Sequence, residues 1–250
     1  AQFDYYLPSV PQGDIKLDVL DAQRRVIRSF TTAEPQRTQR AQSSAPADPD
    51  DDMRPGSGGG GGPRLSKDAG LNRFTWDLRY PGPWNAQSRG PSAGGGPTAV
   101  PGNYFVRLTV GELTVEQPWE LTPDPRVVKD GVTIADMQEQ FDFGIRARDL
   151  VSETNQLVAG VRAAKTRLGQ ATGAAADTLR MVTELERKLV TPPIRYSQPE
   201  LQAHINYLYS ITNQADQKPG RDWLERYDVL KKELDVLKAQ AGRIPGVIAN

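Results

Sequence analysis

The residues able to carry chemistry in this chain are few, and their spacing matches no known catalytic arrangement. His204 is the only histidine. One imidazole can build neither a nucleophile–base–acid triad nor a multi-histidine metal site, and its place beside Ile205 in a helix-periodic stretch gives it a structural or surface role. Asp48, Asp50, Asp51 and Asp52 are hard-cation ligands by type. A calcium loop of the EF-hand kind also needs a glycine and a terminal glutamate at fixed offsets. Neither follows here, so the run reads as solvated acid and no metal site is assigned. Gly58–Gly62 and Gly94–Gly96 are not followed by the Lys-Ser/Thr pair of a phosphate loop. They read as linkers, with no cofactor-binding residue. Glycoside hydrolysis needs two positioned carboxylates; nothing singles out a pair among 31 acidic residues, and Asp77 after Trp76 reads as a strand-end hydrogen-bonding residue. No catalytic residue is assigned, and the chain is expected not to be an enzyme. Aromatic side chains remain. Trp76 and Trp119 lie in strand-like stretches and are expected in a core. Tyr80, Pro81 and Trp84 lie in a Pro/Gly-rich loop, where an interface and local packing are both open. These three form the candidate partner-binding set.

The elements that must position these residues fall into two kinds. Phe3, Tyr5 and Leu7 alternate with polar residues, as do Ile15, Leu17 and Val19; Val26, Ile27 and Phe30 follow a turn at Asp21–Arg24. Leu71, Phe74, Trp76 and Leu78, then Tyr104, Val106, Leu108 and Val110, continue the period-two pattern of sheets with one wet face. Gly111-Glu112 is a two-residue hairpin connection with glycine where φ must be positive. Six or seven short strands suit an Ig/FnIII-like antiparallel β-sandwich over residues 1–122.

From about residue 133 the period becomes helical. Thr133 and Asp136 can form a capping box. Leu150, Thr154, Leu157, Val161, Ala164 and Leu168 step by three and four along a first helix of about 38 residues, near 57 Å at 1.5 Å each. That is roughly 20 Å more than the last helix, so the first either breaks at Gly160 or has a partner beyond its neighbours. Further seams are Leu179, Val182, Leu185, Leu189; Leu201, Ile205, Leu208, Ile211; and Trp223, Tyr227, Leu230, Leu234, Leu237, Ala241. Ser197 and Glu200 read as a second capping box. Short connections predict an antiparallel helical bundle over 133–250, after a linker at 123–132. The fold class is therefore α+β in two domains.

Two insertions in the sandwich, 33–67 and 80–101, are rich in Gly and Pro and poor in large apolar side chains. Such segments do not bury enough surface to offset the entropy of ordering, so order there is expected to come from a neighbouring molecule. Thirty-one basic and 31 acidic residues cancel, both overall and nearly so on each side of residue 132. That leaves no positive field for nucleic acid or for a polybasic membrane contact. Cysteine is absent, which excludes disulfides and thiolate chemistry. No apolar run approaches the roughly 20 residues of a membrane span; peripheral association is left open. The start at Ala1, already strand-like, reads as a processed end: signal-peptide removal, cleavage from a longer precursor or a recombinant boundary would each give it.

Ala69-Gly70-Leu71-Asn72-Arg73-Phe74-Thr75-Trp76-Asp77-Leu78-Arg79-Tyr80-Pro81-Gly82-Pro83, Val100-Pro101-Gly102-Asn103-Tyr104-Phe105-Val106-Arg107-Leu108-Thr109-Val110 and Asp124-Pro125-Arg126-Val127 carry a resemblance. They resemble the C-terminal region of exported bacterial proteins with a sortilin-like (BNR-type) β-propeller, often labelled glycosyl hydrolases. The sandwich is also similar to Ig-like modules of flagellar hook-capping and sorting-domain proteins. The resemblance spans nearly the whole chain and implies the two-domain fold and an exported, periplasmic or extracellular location. The propeller that would carry hydrolase chemistry is absent, so no catalytic residue is implied. The expected function is that of a non-catalytic structural subunit of a bacterial envelope assembly. It would bind other protein subunits and stabilise a larger, membrane-associated complex through its loops and helices. The alternative is a carbohydrate-binding accessory module of an exported glycoside hydrolase, which requires exposed, coplanar Trp and Tyr rings.

Overall fold

A computed structural model describes residues 1–32, 65–92, 94–169, 172–244 and 246–247. Most of the first insertion, and with it the acidic run and Gly58–Gly62, lies outside the described residues. The chain is α+β: among the described residues antiparallel sheets come first and five helices follow. Its contacts separate into one unit of Ala1–Asp77 with Gly102–Glu120 and another of Leu78–Pro101 with Leu121–Asn250.

The first unit holds six strands among the described residues. β1 (Gln2–Leu7) pairs antiparallel with β4 (Gly70–Thr75). β2 (Ile15–Leu20), β3 (Val26–Thr31), β7 (Gly102–Val110) and β8 (Leu113–Leu121) form a second sheet in the order β3-β2-β7-β8. Ile15, Leu17 and Val19 pair with Val110, Leu108 and Val106, which puts all six on one face. Phe30 on β3 meets Phe74 on β4 at 4.5 Å between ring centroids. At the other side Phe3 on β1 meets Trp119 on β8 edge-on at 5.4 Å, with Tyr104 stacked on Trp119 at 5.0 Å. These are ordinary aromatic geometries, and they place the core between the two sheets. Gly111 takes φ 58° and Glu112 stays negative, as a type II′ turn requires.

In the second unit α1 (Pro125–Lys129) sits where the sequence predicts only a linker. The Asp124 carboxylate accepts from Arg126 N at 2.9 Å and Pro125 opens the helix, a cap-then-proline start. α2 (Ile134–Leu168) opens on the expected capping box: Asp136 N donates to Thr133 Oγ1 at 3.1 Å, and Thr133 N donates to Asp136 Oδ2 at 2.9 Å. It runs unbroken for 35 residues, about 52 Å. Gly160 does not break it. A Cβ there would come within 2.5 Å of the Val247 carbonyl oxygen, so the missing side chain admits the C-terminal turn.

Among the described residues three helices pack along α2. α3 (Ala174–Leu189) runs against its C-terminal half, where Glu186 accepts from Lys165 at 2.7 Å and Arg162 at 3.1 Å. α4 (Leu201–Ile211) runs against the N-terminal half in the same reversed sense, from Gln202–Asn155 at 2.9 Å to a Gln140–Thr212 carbonyl bond at 2.7 Å. α5 (Arg221–Ala241) runs along α2 in its own direction, from Phe143–Trp223 to Glu153–Lys238. Leu150, Leu157, Val161, Val182, Leu189, Ile205, Leu230 and Leu234 belong to one buried core. The expected capping box at Ser197 is not formed. Ser197 Oγ instead donates to the Ile194 carbonyl, Tyr196 takes φ 64°, and α4 begins at Leu201 with Glu200 as its cap residue.

Candidate interaction surfaces

The sequence groups 80–101 with the sandwich; its contacts lie with the helices. Arg79 bridges Thr98, and Tyr80 N donates to the Pro97 carbonyl at 3.0 Å. β5 (Trp84–Asn85) and β6 (Gly90–Pro91) form a short hairpin within the loop. Trp84 N donates to Ser152 Oγ on α2 at 3.0 Å, and Asn155 Nδ2 donates to the Trp84 carbonyl at 2.9 Å. Tyr209 on α4 donates its hydroxyl to the Gly95 carbonyl; burial raises the pKa of this phenol. The Tyr80 ring packs edge-on against Phe141 at 4.7 Å.

Tyr80, Pro81 and Trp84 are thus brought together, half-buried, against α2. The order expected to come from a neighbouring molecule is supplied here by the chain's own helices. The glycines take part. A Cβ on Gly96 would lie 2.1 Å from the Tyr80 carbonyl oxygen, and one on Gly82 would lie 2.3 Å from that of Gly94. Gly96 therefore serves close backbone packing rather than a linker.

A cleft of about 650 Å³ opens in this unit among Arg79, Pro97, Val100, Met137, Phe141 and Asn213. Its volume suits a small ligand, but Arg79, Asn213, Gln140 and Asp124 in its lining are engaged within the chain. Arg79 Nη1 donates to the Gly96 carbonyl at 3.1 Å and to Asn213 Oδ1 at 3.4 Å. The Gln140 amide holds the Thr212 and Ala215 carbonyls and accepts from Gln217 N. Asp124 lies at its edge, with its pKa held down to about 2 by the Arg126 guanidinium and backbone amide. That makes it a permanent anion at neutral pH rather than a proton donor. His204 is half-buried on α4.

Trp76 is buried and meets Trp119 edge-on at 6.1 Å. Both belong to the β-rich unit's aromatic cluster and do not form a flat external platform. Trp119 Nε1 is buried with no acceptor among the described residues.

The surface that the sequence reading missed is on the four-stranded sheet. Exposure rises across its inner face: Leu17 on β2 is 1% exposed, its neighbours on β7 are half-buried, and on β8 Val115 reaches 46% and Leu113 65%. Strict alternation is the same in a covered strand and an uncovered one, so no sequence signal marked the difference. The two-stranded sheet cannot cover four strands spaced about 4.8 Å apart, and the apolar corner is left to solvent.

No family model, curated protein or solved structure matches this chain.

Proposed function

We propose that this chain is a non-catalytic interaction subunit of a bacterial envelope assembly. In this reading the β-rich unit is an Ig/FnIII-like sandwich and the helical region an antiparallel bundle. The order β8-β7-β2-β3 follows the G-F-C-C′ side of such sandwiches, with β1–β4 in the place of B and E, which supports the fold assignment. The sortilin-like resemblance supports an exported location. Among the described residues no helix is long and apolar enough to cross a membrane.

One observation carries the functional reading: the apolar corner at Leu113 and Val115, continuous with the core face yet open to solvent. Contiguous exposed apolar patches mark interaction sites. A carbohydrate-binding role is disfavoured because the Tyr80 ring is half-buried and packs edge-on against Phe141 rather than standing open as a platform. The test is a photo-crosslinking residue at position 115 in the native source. A single discrete polypeptide adduct, lost on Leu113→Lys, is expected. A probe that reacts only with water, or an adduct unchanged by Leu113→Lys, would refute the reading.

A further inference from the structure

The open corner lies beside a row of main-chain groups that specifies what could cover it. Ala1 and Trp76 exchange both hydrogen bonds, at 2.8 and 2.9 Å. In an antiparallel pair such bonded pairs alternate with unbonded ones, so Phe3, Tyr5 and Leu7 face β4. Gln2, Asp4 and Tyr6 then turn their N–H and C=O groups to the opposite edge, where the described residues offer no strand. This edge lies on the open side. β1 reaches β8 through Phe3–Trp119, whereas β4 reaches β3 through Phe74–Phe30.

The neighbouring edge, on β8, is built to refuse a strand. The two-residue turn makes Val110 and Leu113 the closing bonded pair, so 114, 116, 118 and 120 face outward. Thr109–Thr114, Arg107–Glu116 and Tyr104–Trp119 contacts fit this register. Outward positions therefore hold Glu120 and Pro118, which has no N–H to give; Glu116, also outward, is paired with Arg107 and Arg24. Charge and proline are the usual guards of an edge strand. The outward positions of β1 carry no proline, and its Asp4 is neutralised by a bidentate pair with Arg73 at 2.8 and 2.9 Å.

We propose that the edge of β1 left uncovered by the described strands accepts an extended segment of a partner polypeptide as an added strand, whose alternate apolar side chains cover Leu113 and Val115. This rests on the interaction reading above and names the form of the partner. Such strand addition takes affinity from main-chain bonds and specificity from alternate side chains.

The test uses the full chain and an acetylated nine-residue peptide alternating valine with lysine or threonine. Hydrogen exchange at the amides of Gln2, Asp4 and Tyr6 should slow by about tenfold or more at about 1 mM peptide. A peptide of the same composition with its valines contiguous should leave it unchanged. Tyr6→Pro removes one outward N–H without touching a β1–β4 bond, and should abolish both the protection and the position-115 crosslink in the native source. Protection at Thr114, Glu116 and Glu120 instead, or none anywhere, overturns strand addition. A crosslink that survives Tyr6→Pro overturns it while leaving the interaction surface standing. Loss of the crosslink in the unaltered chain removes both.

Discussion

Replacing Gly160 with alanine sets two known effects against each other in the middle of α2. Alanine in place of glycine inside a helix gains about 1 kcal/mol. Here the new Cβ would lie 2.5 Å from the Val247 carbonyl oxygen, a backbone atom that cannot swing aside as a side chain would. The turn Ile244–Val247 must move, and Val247, now buried against the helical core, loses its cover. Exposing such a side chain costs about 1.5–3 kcal/mol, so Gly160→Ala should destabilise the full chain by about 1 kcal/mol net. In a chain ending at Ile244 the obstacle is gone, and the same substitution should stabilise by about 1 kcal/mol. Urea denaturation of the four variants, followed by helical ellipticity, gives the coupling directly, and about 2 kcal/mol is expected. A Gly160→Ala chain more stable than its parent at full length would show that the helix and the C-terminal turn do not meet as described.

Asn155→Ala and Ser152→Ala each remove one bond between α2 and Trp84; each should cost about 1 kcal/mol and speed exchange at the Trp84 amide, while helical ellipticity holds. Trp119→Phe trades lost ring volume against relief of an unmatched buried N–H, itself worth about 1–3 kcal/mol. It should therefore cost about 1 kcal/mol or less, against the ~3–5 kcal/mol usual for cutting a core tryptophan to alanine, as read by thermal melting. Asp124 has its pKa lowered from 3.8 to about 2. Its contribution to the start of α1 is thus present above its ordinary pKa and lost only as pH falls through about 2. A carboxyl titration by NMR should show that midpoint, and Arg126→Ala should return it toward the ordinary value.

The strands and seams of this chain were legible because alternation and the three-four step are local signals. β1, β2, β3 and β7 lie where Phe3, Ile15, Val26 and Tyr104 begin their patterns. Gly160, by contrast, read only as a point where the helix could break. Its purpose is a close approach by Val247, and Gly144 likewise admits Pro97, both residues far off in sequence. The insertion 80–101 read as unsupported because its apolar residues are single and aperiodic. Its support comes from Ser152, Asn155 and Tyr209, polar residues whose partners are main-chain atoms. Local sequence gives no hint of such partners. The open corner at Leu113 and Val115 was hidden for the opposite reason: its local signal was clear, but cover is a property of the facing sheet.

α2 is flanked on one side by two helices laid end to end, α3 and then α4, with a turn through Pro192–Tyr196 between them. One uninterrupted rod is thus gripped by two separate hands. Val182 and Leu189 of α3 nonetheless share one buried core with Ile205 of α4 and Leu230 of α5, so loosening either hand opens a core that the other also grips.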